Sequence, residues 1–188
     1  MCLIIVGKTC SGKDSIVKRL CNDYGFEKII TYTTRPMRKN ETQDVTYHFI
    51  SEDDFKKKIE EKFFTEYKTY NTADGVWYYG SKLTDSNEKS VIILTPSGYK
   101  DYIASEGNKN DVSIYIYANN NTIRTRLKKR GDKKEEAERR ILADNEDFKD
   151  TISIVDRIVY NNEGANINDV VKKVYEEYCK TLEKKRWD

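Results

Sequence analysis

The sequence predicts an α/β fold in which helices cover both faces of a parallel sheet. Three short apolar runs, Cys2–Val6, Val91–Leu94 and Val112–Tyr117, are typical of strands buried on both faces. Segments with helical spacing of apolar residues separate and follow these runs, and this alternation indicates parallel strands joined by helices. A length of 188 residues suits one compact domain with inserted segments.

The first strand, loop and helix are the clearest part of the pattern. Cys2–Val6 is a continuous apolar run that ends at a glycine, which predicts a buried first strand. Apolar residues at Ile16, Val17 and Leu20 then predict a helix, and Gly25 supplies its stop. The chain therefore begins with a strand, a glycine-containing loop and a helix.

Later segments repeat the alternation of strands and helices. Ile158–Tyr160 carries a weaker strand pattern than the earlier runs. Helical spacing predicts helices over Tyr99–Ser105, Thr122–Lys129 and Asn166–Leu182, and the last of these has the longest apolar stripe.

Two segments depart from this alternation. Residues 31–81 combine a strand-like Val45–Ile50, a charged helix over Ser51–Lys62 and an aromatic stretch over Phe63–Tyr79, which predicts an inserted α+β subdomain. Residues 124–148 combine two charge-dense helices with a glycine break and offer little apolar surface, which predicts a mobile, solvent-facing arm. The predicted core comprises residues 1–30, 82–123 and 149–188.

The charge balance and hydropathy exclude several functional classes. The 34 Lys and Arg residues nearly balance the 32 Asp and Glu residues, so we expect no general nucleic-acid partner. No apolar run approaches the ~20 residues of a membrane span, and no signal-peptide pattern follows the first strand. We therefore expect a soluble cytoplasmic protein without a membrane partner, either a monomer or a weak homodimer.

The cysteines and the single histidine carry no metal-site spacing. We expect Cys2, Cys10, Cys21 and Cys179 to be free thiols, because they form no CxxC pair. His48 alternates with aromatic residues, which favours a strand position over general-base chemistry.

The strongest chemical motif follows the first strand directly. Glycines at both ends of a loop let its backbone N–H groups face an anion at a helix N-terminus, and a lysine reaches the β and γ phosphates. This pattern predicts an ATP-binding P-loop formed by Gly7, Lys8, Thr9, Cys10, Ser11, Gly12, Lys13, Asp14 and Ser15. In this pattern a hydroxyl residue that ligates magnesium normally follows the lysine. Here Asp14 follows the lysine and Ser15 comes next, so both are candidate Mg²⁺ ligands.

A second basic motif lies on a hydroxyl-rich segment. Arg35 and Arg38 are three residues apart, and paired guanidinium groups suit a phosphate monoester because each presents a planar fork of donors. Alone, this pattern is equally compatible with a solvated basic loop.

Several motifs together resemble the guanylate kinase family. Its T-T-R-x-P-R-x-G-E loop is similar to Thr33–Glu41, although Pro36 and Met37 are inverted and Asn40 replaces the glycine. Further family motifs are matched, in the family's order and over most of the chain, by Asp44–Ser51, Phe64–Glu66, Trp77–Ser81, Leu127–Gly131 and Glu138–Arg140. The resemblance implies a P-loop NTPase-type parallel sheet flanked by helices, with an inserted NMP-binding α+β subdomain and a helical lid.

The resemblance also implies roles for individual residues. A nucleoside monophosphate kinase would transfer a phosphoryl group from ATP to GMP or dGMP with Mg²⁺. Lys13, Arg130 and Arg140 would neutralise the migrating group. The acceptor nucleotide would be bound by Thr31, Arg35, Arg38, Tyr47, Glu66, Tyr79 and Ser81, with Glu66 reading guanine N1 and N2. For Trp77 and Tyr78 we expect core packing instead.

Two departures from the family pattern leave the base open. Ile93 and Thr95 stand where the family usually carries aspartates, one of which helps to bind guanine. Asp14 could return the missing carboxylate on the metal side. A diverged (deoxy)nucleotide kinase of other base specificity is therefore an alternative. A non-catalytic phosphopeptide-binding module is another, although it would not need Lys13 or Arg130.

Overall fold

The computed structural model describes residues 1–39, 41–72, 75–83, 86–104 and 110–187. The strands in this part of the chain are β1 (Leu3–Val6), β2 (Glu27–Lys28), β3 (Tyr32–Thr33), β4 (His48–Phe49), β5 (Glu66–Thr72), β6 (Gly75–Ser81), β7 (Ser90–Ile93), β8 (Val112–Tyr117) and β9 (Arg157–Tyr160). The helices are α1 (Lys13–Tyr24), α2 (Glu52–Glu60), α3 (Pro96–Ala104), α4 (Asn120–Arg130), α5 (Lys134–Asp147), α6 (Thr151–Ile154) and α7 (Ile167–Trp187).

The main sheet has five parallel strands in the order β2-β7-β1-β8-β9. β1 lies in the middle and is fully buried, as its continuous apolar run predicts. Helices α1 and α7 pack on one face around Val17 and Val174, and Tyr99 of α3 packs on the other with Phe148. The predicted α/β fold with a parallel sheet flanked by helices is confirmed. All five strands end at one edge, where ligands bind in open α/β sheets.

The helix boundaries differ from the predicted ones by a few residues. Helix α3 begins at Pro96, ahead of the predicted Tyr99, because Thr95 Oγ1 accepts a hydrogen bond from Gly98 N at 3.1 Å and starts the first turn. The predicted end at Ser105 lies outside the described residues. Helix α7 continues to Trp187, beyond the predicted end at Leu182.

A second sheet, of order β4-β3-β6-β5, lies between β2 and β7 in the chain. Its long β5–β6 hairpin is antiparallel, and α2 packs on it through Phe55, whose ring centroid is 4.5 Å from that of Phe64. Gly80 is needed at this contact, because a Cβ atom there would lie 2.9 Å from both aromatic side chains.

The predicted strand over Val45–Ile50 is wrong in its first half. Only His48–Phe49 pairs as a strand, and Val45 is 62% exposed in a turn. The turn forms because Asp44 adopts a left-handed φ of 60° and Thr46 N donates to Thr42 O at 2.9 Å.

Part of the segment predicted as a solvent-facing arm, residues 124–148, is buried in a small apolar cluster. Gly131, with φ of 90°, ends α4 before α5 begins. Leu127 and Ile141 of this segment are nearly fully buried in a small cluster with Ile123, which lies just before it, while most of the other side chains of the segment are exposed or half-buried. That the segment is a mobile arm stays a prediction. The buried apolar residues are four apart in each helix, Ile123 and Leu127 in α4 and Ala137 and Ile141 in α5, and the high overall charge of the segment obscures this spacing.

Asp111 fastens the edge of the main sheet opposite the ligand-binding edge. Its Oδ1 accepts a hydrogen bond from Cys2 N at 2.6 Å, and its Oδ2 accepts one from the Tyr102 hydroxyl. Its backbone carbonyl accepts a third from Lys185 Nζ at 2.6 Å. Asp111 is 5% exposed, so one buried carboxylate links the start of β1 to α3.

The remaining expectations about composition concern thiols and membrane spans. All four cysteines are free thiols. His48 Nδ1 lies 2.6 Å from Asp44 Oδ1 on the surface of β4. Among the described helices, none combines the length and apolar character needed to cross a membrane.

Replacing Asp111 tests the importance of this buried carboxylate. Asp111→Ala removes the carboxylate that accepts hydrogen bonds from the buried Cys2 amide and from the Tyr102 hydroxyl, so the free energy of unfolding should fall by about 1 to 3 kcal/mol. Urea unfolding followed by circular dichroism measures this change. The matched control is Asp23→Ala, which removes an exposed aspartate 4.0 Å from Arg19 and should change stability by less than about 0.5 kcal/mol. Equal effects of the two substitutions would contradict the role of Asp111.

Candidate active site

Two cavities open at the carboxyl edge of the main sheet, on either side of loop 7–15. The first has a volume of about 600 Å³ and is lined by the start of α1, by Arg126 and Arg130 of α4, and by Asn161. The second has a volume of about 450 Å³ and lies between the loop, the second sheet and α5. Lys13 lines both cavities, so it stands where their contents would meet.

The loop is tightly packed against the sheet at its first glycine. A Cβ atom on Gly7 would lie 2.7 Å from Ile116 O and 2.7 Å from Ser11 Oγ, so no larger residue fits. Gly12 has a φ of 99°, which favours glycine, and its α-carbon faces the Asn161 side chain. The two glycines of the motif are therefore required by geometry.

Lys13 folds back over this loop. Its Nζ donates hydrogen bonds to Gly7 O at 2.7 Å and Lys8 O at 2.8 Å. Burial lowers the pKa of Lys13, and the carboxylates of Asp14 and Asp144 oppose this shift. The ammonium group is thus held in the loop, ready to pair with an anion.

Two residues that the sequence analysis did not single out hold the loop from outside. Asn161 Nδ2 donates to Ser11 O at 2.8 Å, and Arg126 Nη1 donates to Cys10 O at 3.0 Å. Arg126 Nη2 also donates to Asn161 O at 2.9 Å. Asn161 directly follows β9, and its position at the carboxyl end of a parallel strand is the signal that could have identified it.

A carboxylate of α5 accepts a hydrogen bond from one of the loop amides. Thr9 N donates to Asp144 Oδ2 at 2.6 Å, and Lys8 Nζ donates to Asn145 Oδ1 at 2.5 Å. Burial raises the pKa of Asp144, while its bond from Thr9 and its proximity to Lys13 oppose the shift. The loop predicted to bind phosphate therefore already accommodates a negative group on an amide.

Asp14 and Ser15 are exposed at the first turn of α1 and line the first cavity. Within the described residues, no three His, Cys, Asp or Glu side chains form a group that could hold a metal ion. Mg²⁺ usually binds through one or two protein oxygens together with substrate phosphates, so the carboxylate and hydroxyl found here fit this ion.

The second cavity collects most of the residues predicted to bind an acceptor nucleotide. Its lining includes Thr31, Arg38, Tyr47, Glu66, Tyr79 and Ser81. Burial raises the pKa of Tyr47 to about 12, so its hydroxyl stays neutral and can donate a hydrogen bond.

Arg35 lies behind this cavity and is only 4% exposed. Its Nη1 and Nη2 donate to the two carboxylate oxygens of Glu41 at 2.8 and 2.7 Å, and its guanidinium lies 5.4 Å from the centre of the Tyr47 ring. Arg38 reaches the cavity, and its backbone N–H donates to the same Glu41 at 2.8 Å. The predicted arginine pair is thus organised by one carboxylate, with one arginine behind the wall and one in it.

Glu66 occupies the other end of the cavity, where β5 meets α3. Ser81 Oγ donates to Glu66 Oε1 at 2.5 Å, and burial raises the pKa of Glu66. A Cβ atom on Gly98 of α3 would lie 2.8 Å from Glu66 Oε2. The carboxylate is therefore enclosed on two sides and presents a defined edge to the cavity.

Trp77 and Tyr78 differ from each other despite being adjacent. Trp77 was expected in the core, but it lines the second cavity because its side chain shares a strand face with Tyr79. Tyr78 points to the opposite face and packs on Phe55, with ring centroids 5.4 Å apart. Ile93 and Thr95, which stand where the resemblance predicts aspartates, also line the cavity.

The two arginines that are predicted to belong to a lid, Arg130 and Arg140, share one acidic partner. Arg130 Nε donates to Asp132 Oδ2 at 2.6 Å, and Arg140 Nη1 donates to Asp132 Oδ1 at 3.3 Å. Arg140 Nε also donates to Glu136 at 2.6 Å. Arg130 lines the first cavity and Arg140 the second, so the pair flanks the position of Lys13.

Comparisons with known proteins agree on one family. The family described as guanylate kinase matches this chain over residues 1–178. A guanylate kinase from Sulfurimonas denitrificans is 41% identical over 83 residues, and one from Bdellovibrio bacteriovorus is 34% identical over 93 residues. These alignments cover 43% and 49% of this chain but only 38% and 50% of the two relatives.

Longer alignments extend the similarity to most of the chain. A guanylate kinase from Clostridium tetani is 26% identical over 178 residues, covering 92% of this chain and 82% of the relative. The crystal structure of a guanylate kinase from Anaplasma phagocytophilum superposes with a TM-score of 0.66 at 16% identity, covering 97% of this chain and 86% of that one. At this identity the structural match supports the fold alone.

The Asp144 contact generates a prediction about ligand affinity. Asp144→Ala frees the Thr9 amide and removes a negative charge near Lys13, so ATP should bind about fivefold more tightly or better. Isothermal titration calorimetry measures this affinity. The control is Glu146→Ala, which removes an exposed carboxylate from the same helix and should leave the affinity unchanged. Weaker or unchanged ATP binding by Asp144→Ala would show that the carboxylate does not compete with phosphate.

Proposed function

The chain belongs to the guanylate kinase family, and we propose that it transfers the γ-phosphoryl group of ATP to GMP or dGMP. The observation that carries this proposal is the position of Lys13, which lines both cavities at once. A donor in one cavity and an acceptor in the other would bring the reacting phosphates together at its ammonium group.

The donor would bind through the phosphate loop. Gly7 and Gly12 allow the loop to curl with its N–H groups directed at the β and γ phosphates, and Lys13 adds a fixed positive charge. ATP would have to displace Asp144 from the Thr9 amide, and Lys13 would exchange its bonds to Gly7 O and Lys8 O for phosphate oxygens.

The acceptor's phosphate would lie between Arg38 and the hydroxyls of Tyr47 and Tyr79. The tyrosine hydroxyls would donate hydrogen bonds, and Arg38 would add a planar fork of donors. Arg35 would act with them from behind the wall, where its ion pair with Glu41 holds the loop that carries Arg38.

The base would lie against Glu66, with Ser81 and Thr31 beside it. A carboxylate accepts hydrogen bonds from both N1–H and N2–H of guanine, whereas adenine presents no such pair of donors. The bond from Ser81 leaves Glu66 Oε2 and the remaining lone pairs of Oε1 for the base.

Mg²⁺ would be held by Asp14 and Ser15 together with the phosphates of ATP. Bound there, it would neutralise charge on the β and γ phosphates. The two residues supply hard oxygen ligands at the first turn of α1, next to Lys13.

Catalysis would consist of positioning and charge stabilisation, without a covalent intermediate. Lys13, Arg130 and Arg140 would stabilise the negative charge on the migrating phosphoryl group. Closure of the predicted lid over 124–148 and of the NMP-binding subdomain over 31–81 would exclude water, which would otherwise accept the phosphoryl group.

One alternative keeps the reaction and changes the base. Ile93 and Thr95 line the base end of the cavity where carboxylates are usual in the family, so a kinase for another (deoxy)nucleotide is the second candidate. A phosphopeptide-binding module is disfavoured, because such a module has no need of the first cavity with its loop and arginines.

The direct test is a coupled assay of ADP release across the common NMPs and dNMPs. We expect GMP or dGMP to be the preferred acceptor. Lys13→Ala should reduce turnover to background while leaving the thermal unfolding transition close to that of the wild type, since Lys13 contributes charge and not core packing. Turnover near the wild-type level in Lys13→Ala would overturn the role of the loop, and preference for another base would favour the alternative kinase.

A second test addresses guanine recognition by Glu66. Glu66→Gln places a donor against a donor of guanine, so kcat/KM for GMP should fall by about 5- to 150-fold, corresponding to about 1 to 3 kcal/mol. Activity with AMP should change little or rise, because AMP does not use that contact. Equal losses with both acceptors would mean that Glu66 is structural.

A further inference from the structure

We propose that Lys68 is a specificity-determining residue of the acceptor cavity, and that it donates a hydrogen bond to the 6-oxo group of the purine. The inference rests on the proposed function, because it assumes that the base lies against Glu66. It adds a donor from the same strand to the acceptor that Glu66 provides.

The β5–β6 hairpin brings Lys68 next to Glu66. The two residues are two apart on β5, so their side chains leave the same face of the strand about 7 Å apart. Across the hairpin, Glu66 pairs with Ser81 and Lys68 pairs with Tyr79. All four side chains line the second cavity, so Lys68 lies on the same wall as Glu66, the predicted base contact, and two residues further along β5.

Helix α3 holds the Lys68 ammonium group at this wall. Lys68 Nζ lies 2.6 Å from Asp101 Oδ2. Two residues further along β5, the Tyr70 hydroxyl lies 3.3 Å from Ser97 Oγ, also in α3. The side chain of Lys68 is 30% exposed and lines the second cavity, so a ligand there can reach it. Asp101 accepts only part of its donor capacity, since an ammonium group has three N–H donors.

The chemistry of this wall matches a 6-oxopurine. Guanine presents N1–H and N2–H donors followed by the O6 acceptor on one edge, and the wall presents a carboxylate acceptor followed by an ammonium donor. Adenine carries an amino donor at position 6, which would face the ammonium donor of Lys68. Lys68 therefore supplies discrimination at position 6 of the purine.

The other cations of the second cavity come from different elements. Lys13 belongs to the phosphate loop, Arg38 to the segment before β4, and Arg139 and Arg140 to α5. Lys68 is the cation carried by the strand that also carries Glu66. Its charge is thus tied to the base end of the cavity by the strand itself.

The test compares wild type with Lys68→Met on two acceptors. Methionine keeps much of the apolar stem and removes the donor. GMP carries the O6 acceptor, whereas 6-thio-GMP keeps N1–H and N2–H but has sulfur, a weak acceptor, at position 6. We expect kcat/KM for GMP to fall about tenfold or more in Lys68→Met, and the preference for GMP over 6-thio-GMP to shrink by a similar factor.

Two further variants separate this role from general effects. Lys56→Met removes a lysine in an exposed ion pair, 2.7 Å from Glu52, and should leave both acceptors unaffected. Asp101→Asn should lower kcat/KM for GMP less than Lys68→Met does, because Asp101 is a positioning residue and the donor remains. Equal losses of GMP and 6-thio-GMP activity in Lys68→Met would overturn the proposal and make Lys68 a support for Glu66.

Binding measurements distinguish failure of this inference from failure of the proposed function. If the wild type phosphorylates no nucleotide, the proposed function fails, and calorimetric affinities for GMP and 6-thio-GMP then test Lys68 alone. Weaker GMP binding with an unchanged 6-thio-GMP affinity in Lys68→Met supports the inference. Unchanged GMP affinity overturns it, and absence of GMP binding by the wild type overturns both proposals.

Discussion

The close contact between Gly7 and the backbone of β8 is the constraint on which both cavities depend. A Cβ atom at this position would lie 2.7 Å from Ile116 O, so only glycine lets the chain leave β1 and turn directly over the sheet. That turn sets the start of α1 and places Lys13 above the carboxyl ends of the strands. Asn161 and Arg126 hold the turn from outside through Ser11 O and Cys10 O. The two cavities therefore share a wall whose position is fixed by packing.

The second cavity lies where the layers of the two sheets meet. The end of this cavity that contains Glu66 is formed by the β5–β6 hairpin on one side and by the first turns of α3 on the other. Helix α3 itself packs on the main sheet. The contacts of Gly98 with Glu66 and of Asp101 with Lys68 hold the layers together at this point. A change in the packing of α3 would thus shift Glu66 and Lys68, the side chains proposed to bind the base, although α3 itself carries no predicted nucleotide ligand.

Most of the predicted phosphate-binding cations already have partners within the protein. Arg35 pairs with Glu41, Arg130 and Arg140 share Asp132, and the Thr9 amide holds Asp144. Binding of anionic nucleotides would exchange these partners and would not place new charges in an unprepared site. Such exchange lowers the net gain from each contact, but it keeps the side chains in defined positions before a ligand arrives.

The sequence by itself determined the parallel sheet and the glycine loop, and six of the seven residues that it predicts for an acceptor nucleotide line the second cavity. The sheet and the loop follow from local patterns, namely continuous apolar runs and glycines at fixed spacing, whereas the resemblance to the guanylate kinase family implied the acceptor-binding residues. Tertiary structure alone decided the partners of these residues. Thr9 meets Asp144 across 135 positions of the chain, and Lys68 meets Asp101 across two layers of structure. Charged residues at such positions look like ordinary solvated surface in the sequence, because a charge has no periodic signature. Only the packing of α3 and α5 against the sheets brings each of them to its partner.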